Sequence, residues 1–446
     1  MCLLKGEIMR ILHTADWHLG KVFHEYSMIE DQRYVLNQIL EIIKVAQEEK
    51  NPFSALLVSG DIYDRAVPSS EASNLLSDFL TQATESFPEL HIFIISGNHD
   101  SPSRLSFASS FLEKHKIHLV TNTKNFLEPI ILESPVLTEN SKSKKQKVAF
   151  YQLPFLHPGS IKISEQESAT LNAKNFSQLE NSTLSTKDSS QSENQIQSAK
   201  ICRTQEELFA QATSQIIKNH QKKFSKIPLV LNAHLFTLGS TQASSERSNI
   251  GTAEQVNVLL FKDFTYGAFG HIHKFQVCDK AHKCFYSGSL LPYNFGDSSQ
   301  SGILDVEIGA FDEIPKVKRI LFKPLHKIAS LEGKFDDFIN PKKNQKFLKE
   351  HKTDFLQITL TDESEIREPF LRLKEIFPNL LLLSLKNRTS CSENLSIQKR
   401  KEAIKSKNFS QIFTQFLTDI YGENYEQSSE LVKSEKAIFE EEATKL

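Results

Sequence analysis

The chain has 446 residues, 39% of them hydrophobic and 24% charged, enough for two or three domains that each bury a core. A net charge of −2 excludes a globally basic nucleic-acid binder, so any DNA affinity must come from local patches or bound metal. No apolar run approaches the roughly 18 residues of a membrane span, and five cysteines without a CxxC pair fit the reducing cytoplasm.

The opening "MCLLKGEIMRIL" has too short an apolar core for a signal peptide and no small-residue cleavage site. Strand-like sequence starts at Met9, so residues 1–8 read as an extension, or Met9 as the start. "MRILHTAD" then predicts a strand and "MIEDQRYVLNQILEIIKVAQEE" an amphipathic helix. "SALLVSGD" is a strand, "SSEASNLLSDFLTQAT" a helix, "HIFIISGNHD" a strand and "SPSRLSFASSFLEKH" a helix. Strands that are apolar throughout, alternating with helices, argue for an α/β fold whose central sheets are flanked by helices.

After "KVAFYQLPFL" the composition changes. Residues 160–205 are rich in Ser, Asn, Gln and Thr and predict a low-complexity surface insertion without a core of its own. A helix over 206–224 follows, then the strand-like runs "IPLVLNAH", "YGAFGHIH", "KCFYSGSL" and "SGILDVEIG". Beyond residue 328, "DFLQITLTD", "SEIREPFLRLKEIFP" and "NLLLLSLKN" form a βαβ-like unit. A polar break at 388–396 precedes two amphipathic helices, about 405–421 and 426–442.

The polar residues fall at strand ends. Asp16 and His18 follow the first strand, Asp61 and Asp64 the second, and Asn98, His99 and Asp100 the third. His234 ends a fourth, and His271 and His273 a fifth. Each has an ordinary structural explanation when taken alone. Gly97 and Asn98 suit the positive φ of a turn, Asp100 suits a helix cap, and a lone His234 suits a core. Asp, Asn and His at five strand ends together are hard to ascribe to turns, because open α/β sheets bind ligands at the carboxyl ends of their strands. His271 and His273 face the same way in an extended segment.

The donors are a mixed oxygen and nitrogen set, large enough for two metals sharing a carboxylate. Imidazoles favour manganese, iron or zinc over magnesium. Two divalent ions carry +4 against −2 from Asp16 and Asp61, so the site stays positive and suits a phosphate ester.

In order, these motifs resemble those of the calcineurin-type metallophosphoesterases: D-x-H, G-D-x-x-D, G-N-H-D, a lone H, then G-H-x-H. "MRILHTADWHLG", "GDIYDRAVPSSEA", "GNHDSPSRL", "YGAFGHIHK" and "YSGSLLPYNFGD" are similar to the SbcD-type nuclease subfamily, as is "LTDESEIREPFLRLKEIFPNLLLL". The resemblance covers about 9–160 and 206–390, and more loosely the tail. It implies a layered metallophosphoesterase nuclease domain over 9–327, a small α/β capping domain over 328–390 and a partner-binding helical tail over 391–446. The insertion departs from the family pattern but lies away from every motif.

The resemblance also implies roles. Asp16, His18, Asp61 and His273 hold one metal; Asp61, Asn98, His234 and His271 hold the other, with Asp61 bridging. Manganese is the expected ion. His99, with Asp64 orienting it, contacts the scissile phosphate or protonates the leaving oxygen. The implied activity is exonuclease on duplex ends and endonuclease on single strands and hairpins. The implied partners are DNA, an SbcC-like ATPase and a second copy of the chain within a heterotetramer. A free-standing phosphomonoesterase shares the metal chemistry but has no use for a cap and tail. A DNA-end scaffold has no use for His99.

Overall fold

The run "MRILHT" forms β1 (Met9–Thr14), buried along nearly its whole length, as an apolar strand with covered faces must be. In this computed structural model the described residues are 8–134, 145–161, 204–238, 240, 255–297, 300–362 and 366–386. Two compact units divide the chain. One comprises Met1–Ser330, Glu350–Gln357 and Asn379–Leu382; the other comprises Leu331–Lys349, Ile358–Pro378 and Leu383–Leu446.

The first unit holds two six-stranded sheets among its described residues. Beside β1 in the first sheet run β2 (Ala55–Val58), β3 (His91–Ile95) and β4 (Ile117–Val120), all parallel. The second sheet is built from β5 (Ile130–Glu133), β6 (Lys147–Leu153), β7 (Leu229–His234), β8 (Tyr266–Gly270), β9 (Gln276–Val277) and β10 (Cys284–Tyr286). Its order is β9-β10-β8-β7-β6-β5, with parallel pairing from β10 through β6 and antiparallel edges. The antiparallel strands β11 (Gly302–Ile308) and β12 (Lys316–Leu321) return to extend the first sheet on the far side of β1.

Three buried clusters hold these layers together. Ile11, Leu57 and Phe93 of the first sheet meet Phe150, Val230 and Ala268 of the second. Apart from Ala268, each of these buried side chains contributes about 1.5–3 kcal/mol. The outer face of the first sheet packs under α1 (Ile29–Glu48) and α2 (Ser70–Ser86) through Val35, Leu36, Ile39, Leu75 and Phe79. The outer face of the second packs under a later helix, Gln205–Lys223, through Leu208, Phe209, Ala212 and Ile216. Hydroxyl caps start two of these helices: Ser69 accepts from the Ala72 N–H at 3.2 Å, and Thr204 accepts from the Glu207 N–H at 3.2 Å.

The helix expected over "SPSRLSFASSFLEKH" is instead two short ones, α3 (Pro102–Leu105) and α4 (Ser109–Glu113). Ala108 between them has φ 60°, and Ser106 Oγ donates to the Ser103 carbonyl at 3.1 Å. A serine-rich turn competing for backbone acceptors breaks the helix there. In chain order the Gln205–Lys223 helix is α5.

β13 (Ile328–Gly333), β14 (Phe355–Leu360) and β15 (Leu380–Leu385) form a three-stranded sheet. In the second unit Phe338 and Leu373 are fully buried, and Phe338 meets Phe377 edge-on with ring centres 6.4 Å apart. Most of the 160–205 insertion, and both expected tail helices, lie outside the described residues.

Candidate metal centre

The strand ends of the two sheets meet. From β1 the chain enters residues 16–19 with Asp16 at φ 51° and His18 at φ 44°. From β2 it enters 60–63 with Gly60 at φ 89° and Asp61 at φ 50°. The two turns are zipped together: the Asp16, His18 and Leu19 N–H groups donate to the Gly60, Asp61 and Ile62 carbonyls at 3.1, 3.0 and 2.9 Å. His271, after β8, has φ 103°. Four of the seven candidate ligands therefore sit in left-handed backbone, which costs of order 1–3 kcal/mol each and is a mark of functional sites.

The donors converge. Asp16, His18 and His273 each place a ligand atom within 4.8 Å of the others, as do Asp16, Asp61 and His234. Asp61 Oδ2 lies 3.6 Å from His18 Nε2 and 3.6 Å from His234 Nε2. Asn98 Oδ1 lies 2.9 Å from His234 Nε2 and 3.0 Å from His271 Nδ1. His18 Nε2 and His273 Nε2 are 3.0 Å apart. The His271 N–H donates to both oxygens of Asp16, at 2.9 and 3.1 Å.

His234 tests whether this set suits a cation. Its Nδ1 lies 2.8 Å from the Ser59 carbonyl, which can only accept, so Nδ1 carries the proton. Burial pushes its pKa down to about 3, so the ring is neutral and Nε2 offers a lone pair. That lone pair faces the lone pairs of Asn98 Oδ1. A cation between them resolves the clash, and the Ser59 hydrogen bond is the outer-shell partner that fixes a ligating imidazole.

The other imidazoles are also held neutral. Burial, then the neighbouring His234, pushes His271 down to about 3; burial, then His271, does the same to His273. His18 falls well below its ordinary value, by burial first and His273 next. Neutral imidazole is the ligating form, so at pH 7 these rings have no proton to lose. Burial also pushes the Asp61 carboxyl up, partly offset by His99.

A pH dependence results. The unfolded histidine titrates near 6.5 while these buried rings stay neutral, so as pH falls the unfolded chain takes up protons that the metal-free fold does not. Stability is present above pH 6.5 and drains away below it, by up to about 1.4 kcal/mol per pH unit for each such ring. The melting temperature of metal-free protein should drop steadily from pH 7 to pH 5. The raised carboxyls of Asp61 and Asp100 take up protons in the fold over the same range and offset part of this loss, so a flat profile would mean that the fold's own proton uptake, at the rings or at these carboxyls, matches that of the unfolded chain.

His99 and Asp64 sit beside the donor cluster. His99 is half-buried and its main-chain N–H donates to Asp61 Oδ1 at 2.9 Å. The Asp64 group that meets His99 is its main chain and not its carboxylate: His99 Nδ1 lies 2.9 Å from the Asp64 carbonyl oxygen. The Asp64 carboxylate is 2.8 Å from Lys21 Nζ and 3.7 Å from His18 Nδ1.

Two expectations for the "SGNHD" turn are corrected. Neither Gly97 nor Asn98 takes a positive φ. Glycine is needed at 97 for room, because a Cβ there would lie 2.0 Å from Asp61 Oδ1 and 2.4 Å from the Asp61 nitrogen. Nor does Asp100 cap the next helix, whose N-cap is Ser101 without a side-chain bond. Its carboxylate turns inward and accepts the N–H groups of Ile62, Tyr63 and Gly97 at 3.1, 3.0 and 2.9 Å. Asp100 thus ties the Asn98 turn to the Asp61 turn. Both oxygens accept, so Asp100→Asn leaves at least one N–H facing an amide NH₂. The loss should be about 1–3 kcal/mol of stability, seen as a lower denaturant midpoint with unchanged m.

Gln32 was missed. Buried on α1, it accepts the Gly20 N–H at 3.0 Å and donates to the His18 carbonyl at 2.8 Å, fixing the Asp16–His18 turn. The signal was available: Gln32 falls on the apolar stripe of Val35, Leu36, Ile39 and Ile43, where a polar residue needs a partner.

Residues 9–275 match the model of the calcineurin-like phosphoesterases, and residues 324–421 match that of the type 5 capsule protein repressor C-terminal domain. The SbcD subunit of nuclease SbcCD from Staphylococcus epidermidis is 29% identical over 382 residues, covering 84% of this chain and 85% of the relative. Its namesake in Staphylococcus saprophyticus subsp. saprophyticus is 28% identical over 443 residues, covering 97% and 99%. Among the described residues no helix is long and apolar enough to cross a membrane. The phosphoesterase match takes in more than half of the 446 residues, and the chain therefore belongs to the calcineurin-like phosphoesterase family.

Proposed function

We propose that the chain is the nuclease subunit of a DNA-processing complex, hydrolysing phosphodiester bonds with two divalent metals, manganese first. The observation that carries this reading is the convergence of Asp16, His18, Asp61, Asn98, His234, His271 and His273 from five strand ends of two sheets. Asp16, His18, Asp61 and His273 would hold one ion, and Asp61, Asn98, His234 and His271 the other. Bound there, the metals would lower the pKa of water and neutralise charge building on the phosphate. His99 would meet the scissile phosphate or the leaving oxygen. With Nδ1 tied to a carbonyl acceptor, its Nε2 is the atom at which a proton is held or passed.

The partners of this reading are DNA, taken at ends, hairpins and single strands, and an SbcC-like ATPase. The two relatives that carry the SbcCD name are matched over 85% and 99% of their lengths, and residues 324–421 match a C-terminal domain model beyond the phosphoesterase. The phosphoesterase domain would span 9–327, the cap 328–390 and the partner-binding tail 391–446. A homodimer within a heterotetramer completes the assembly; exposed Phe107 and Phe111 on and beside α4 support an apolar contact there. The setting is cytoplasmic.

The test is metal content together with cleavage of a labelled single-stranded oligonucleotide. Two ions per chain are expected, with cleavage lost on chelation and restored by manganese. Rapid turnover of p-nitrophenyl phosphate with an uncut oligonucleotide would favour the phosphomonoesterase reading instead.

A further inference from the structure

β6 is a sixth strand whose carboxyl end reaches this site, and the tripeptide "PFL", Pro154 to Leu156, comes directly after it. Phe155 is half-buried. Its ring centre lies 6.1 Å from that of His234 and 6.5 Å from that of His271, the latter with planes only 21° apart. The backbone is pinned on both sides. The Phe155 N–H donates to the Ser96 carbonyl at 2.9 Å, joining it to the turn that carries Asn98 and His99, and the Leu156 carbonyl accepts from Gln205 Nε2. Leu156 itself is fully buried.

A phenyl ring can neither ligate a metal nor move a proton. Part of it is left in water beside a cluster of imidazoles and carboxylates, which burial of apolar area alone disfavours. Shielding His271 does not require it, since Phe236, nearly buried, already lies 6.1 Å from that imidazole. A fixed, partly exposed aromatic ring is, however, what single-stranded nucleic acid is held by: a base stacks on it, and any base serves because each has a π-face. A nucleobase stands one sugar away from its phosphate, so a ring displaced from the ligands by about one side chain lies where the base arrives.

We infer that Phe155 is the platform on which the base next to the scissile phosphate stacks. The inference rests on the nuclease reading and adds the substrate group that this ring recognises. Phe155 would then set substrate affinity at the cut and help choose unpaired strands, whose bases are free to stack.

The experiment uses the full chain with manganese and two single-stranded oligonucleotides. They are identical except that one carries abasic residues flanking a single linkage. Wild type should cut the base-bearing linkage with kcat/KM roughly tenfold or more above the abasic one, the difference lying in KM. Phe155→Leu keeps the apolar cover but not the ring. It should bring the ratio near one by weakening the normal strand alone, with metal content unchanged, while Phe155→Trp should keep the preference. The chain's single native tryptophan, Trp17, is fully buried, so the new indole reports binding. Its fluorescence should be quenched by the normal strand and not by the abasic one, even without metal. An unchanged ratio in Phe155→Leu, a parallel loss on both strands, or equal quenching overturns the inference. A wild-type protein that binds manganese and cuts neither strand defeats the nuclease reading, and this inference with it.

Discussion

His99→Ala is expected to bind both metals and to fold, yet to lose about 10²–10⁴ in phosphodiester cleavage, the usual worth of a positioned proton donor or acceptor. The contacts of this residue separate the two effects. The bond to Asp61 Oδ1 comes from the main-chain N–H, which alanine retains. The side chain gives up its Nδ1 bond to the Asp64 carbonyl and an edge-on contact with His18, ring centres 4.8 Å apart. These cost about 1 kcal/mol of stability at a half-buried position. The drop should appear in kcat and kcat/KM together, as it does when a group acts only in the transition state. A folded, metal-loaded variant that cuts at the wild-type rate would remove His99 from the chemistry.

The sequence made the layers and most of the site legible because both are written as local patterns. Apolar runs such as "ALLV" and "HIFII" can only be covered strands, and D-x-H or G-H-x-H places its donors just past a strand end whatever the rest of the chain does. What could not be read is what depends on the meeting of distant turns. Asp16 and His271 stand 255 positions apart, and nothing local says that the backbone of one would grip the carboxylate of the other. Gly97 invited a turn explanation, whereas its role is to let the Asp61 turn approach within reach. Asp64 is a similar case. Its side-chain chemistry suggested a carboxylate on His99, but the fold supplies a carbonyl there and turns the carboxylate toward Lys21 and His18. Side-chain type predicts that a contact will be polar. Only the backbone path decides which atom makes it.

The largest combined effect is expected at Asp61, and Asp61→Asn is the variant that isolates it. Asparagine keeps an oxygen that can accept the His99 N–H now received at 2.9 Å, so the turn can persist while the charge goes. Removing that charge takes away the carboxylate proposed to bridge both ions. Loss of an outer-shell partner alone typically costs 10–100-fold in metal affinity, so a shared ligand should cost at least roughly a hundredfold, with cleavage falling further. The metal-free fold should respond in the opposite direction. Burial raises the Asp61 carboxyl above its unfolded value, and Asp61 in turn helps burial push Asp100 up to about 7. A carboxylate whose folded pKa is raised weakens the fold as pH climbs past the unfolded value near 4, so the neutral variant should be at least as stable at pH 7 when metal-free. Titration calorimetry with manganese and melting curves in chelator read the two effects separately. A variant that binds two manganese ions as tightly as wild type would show that Asp61 is not the bridge. One that melts well below wild type in chelator would show that its carboxylate stabilises the bare fold. If it is the proposed bridge, Asp61 would instead weaken the empty fold for the sake of the ions it would hold.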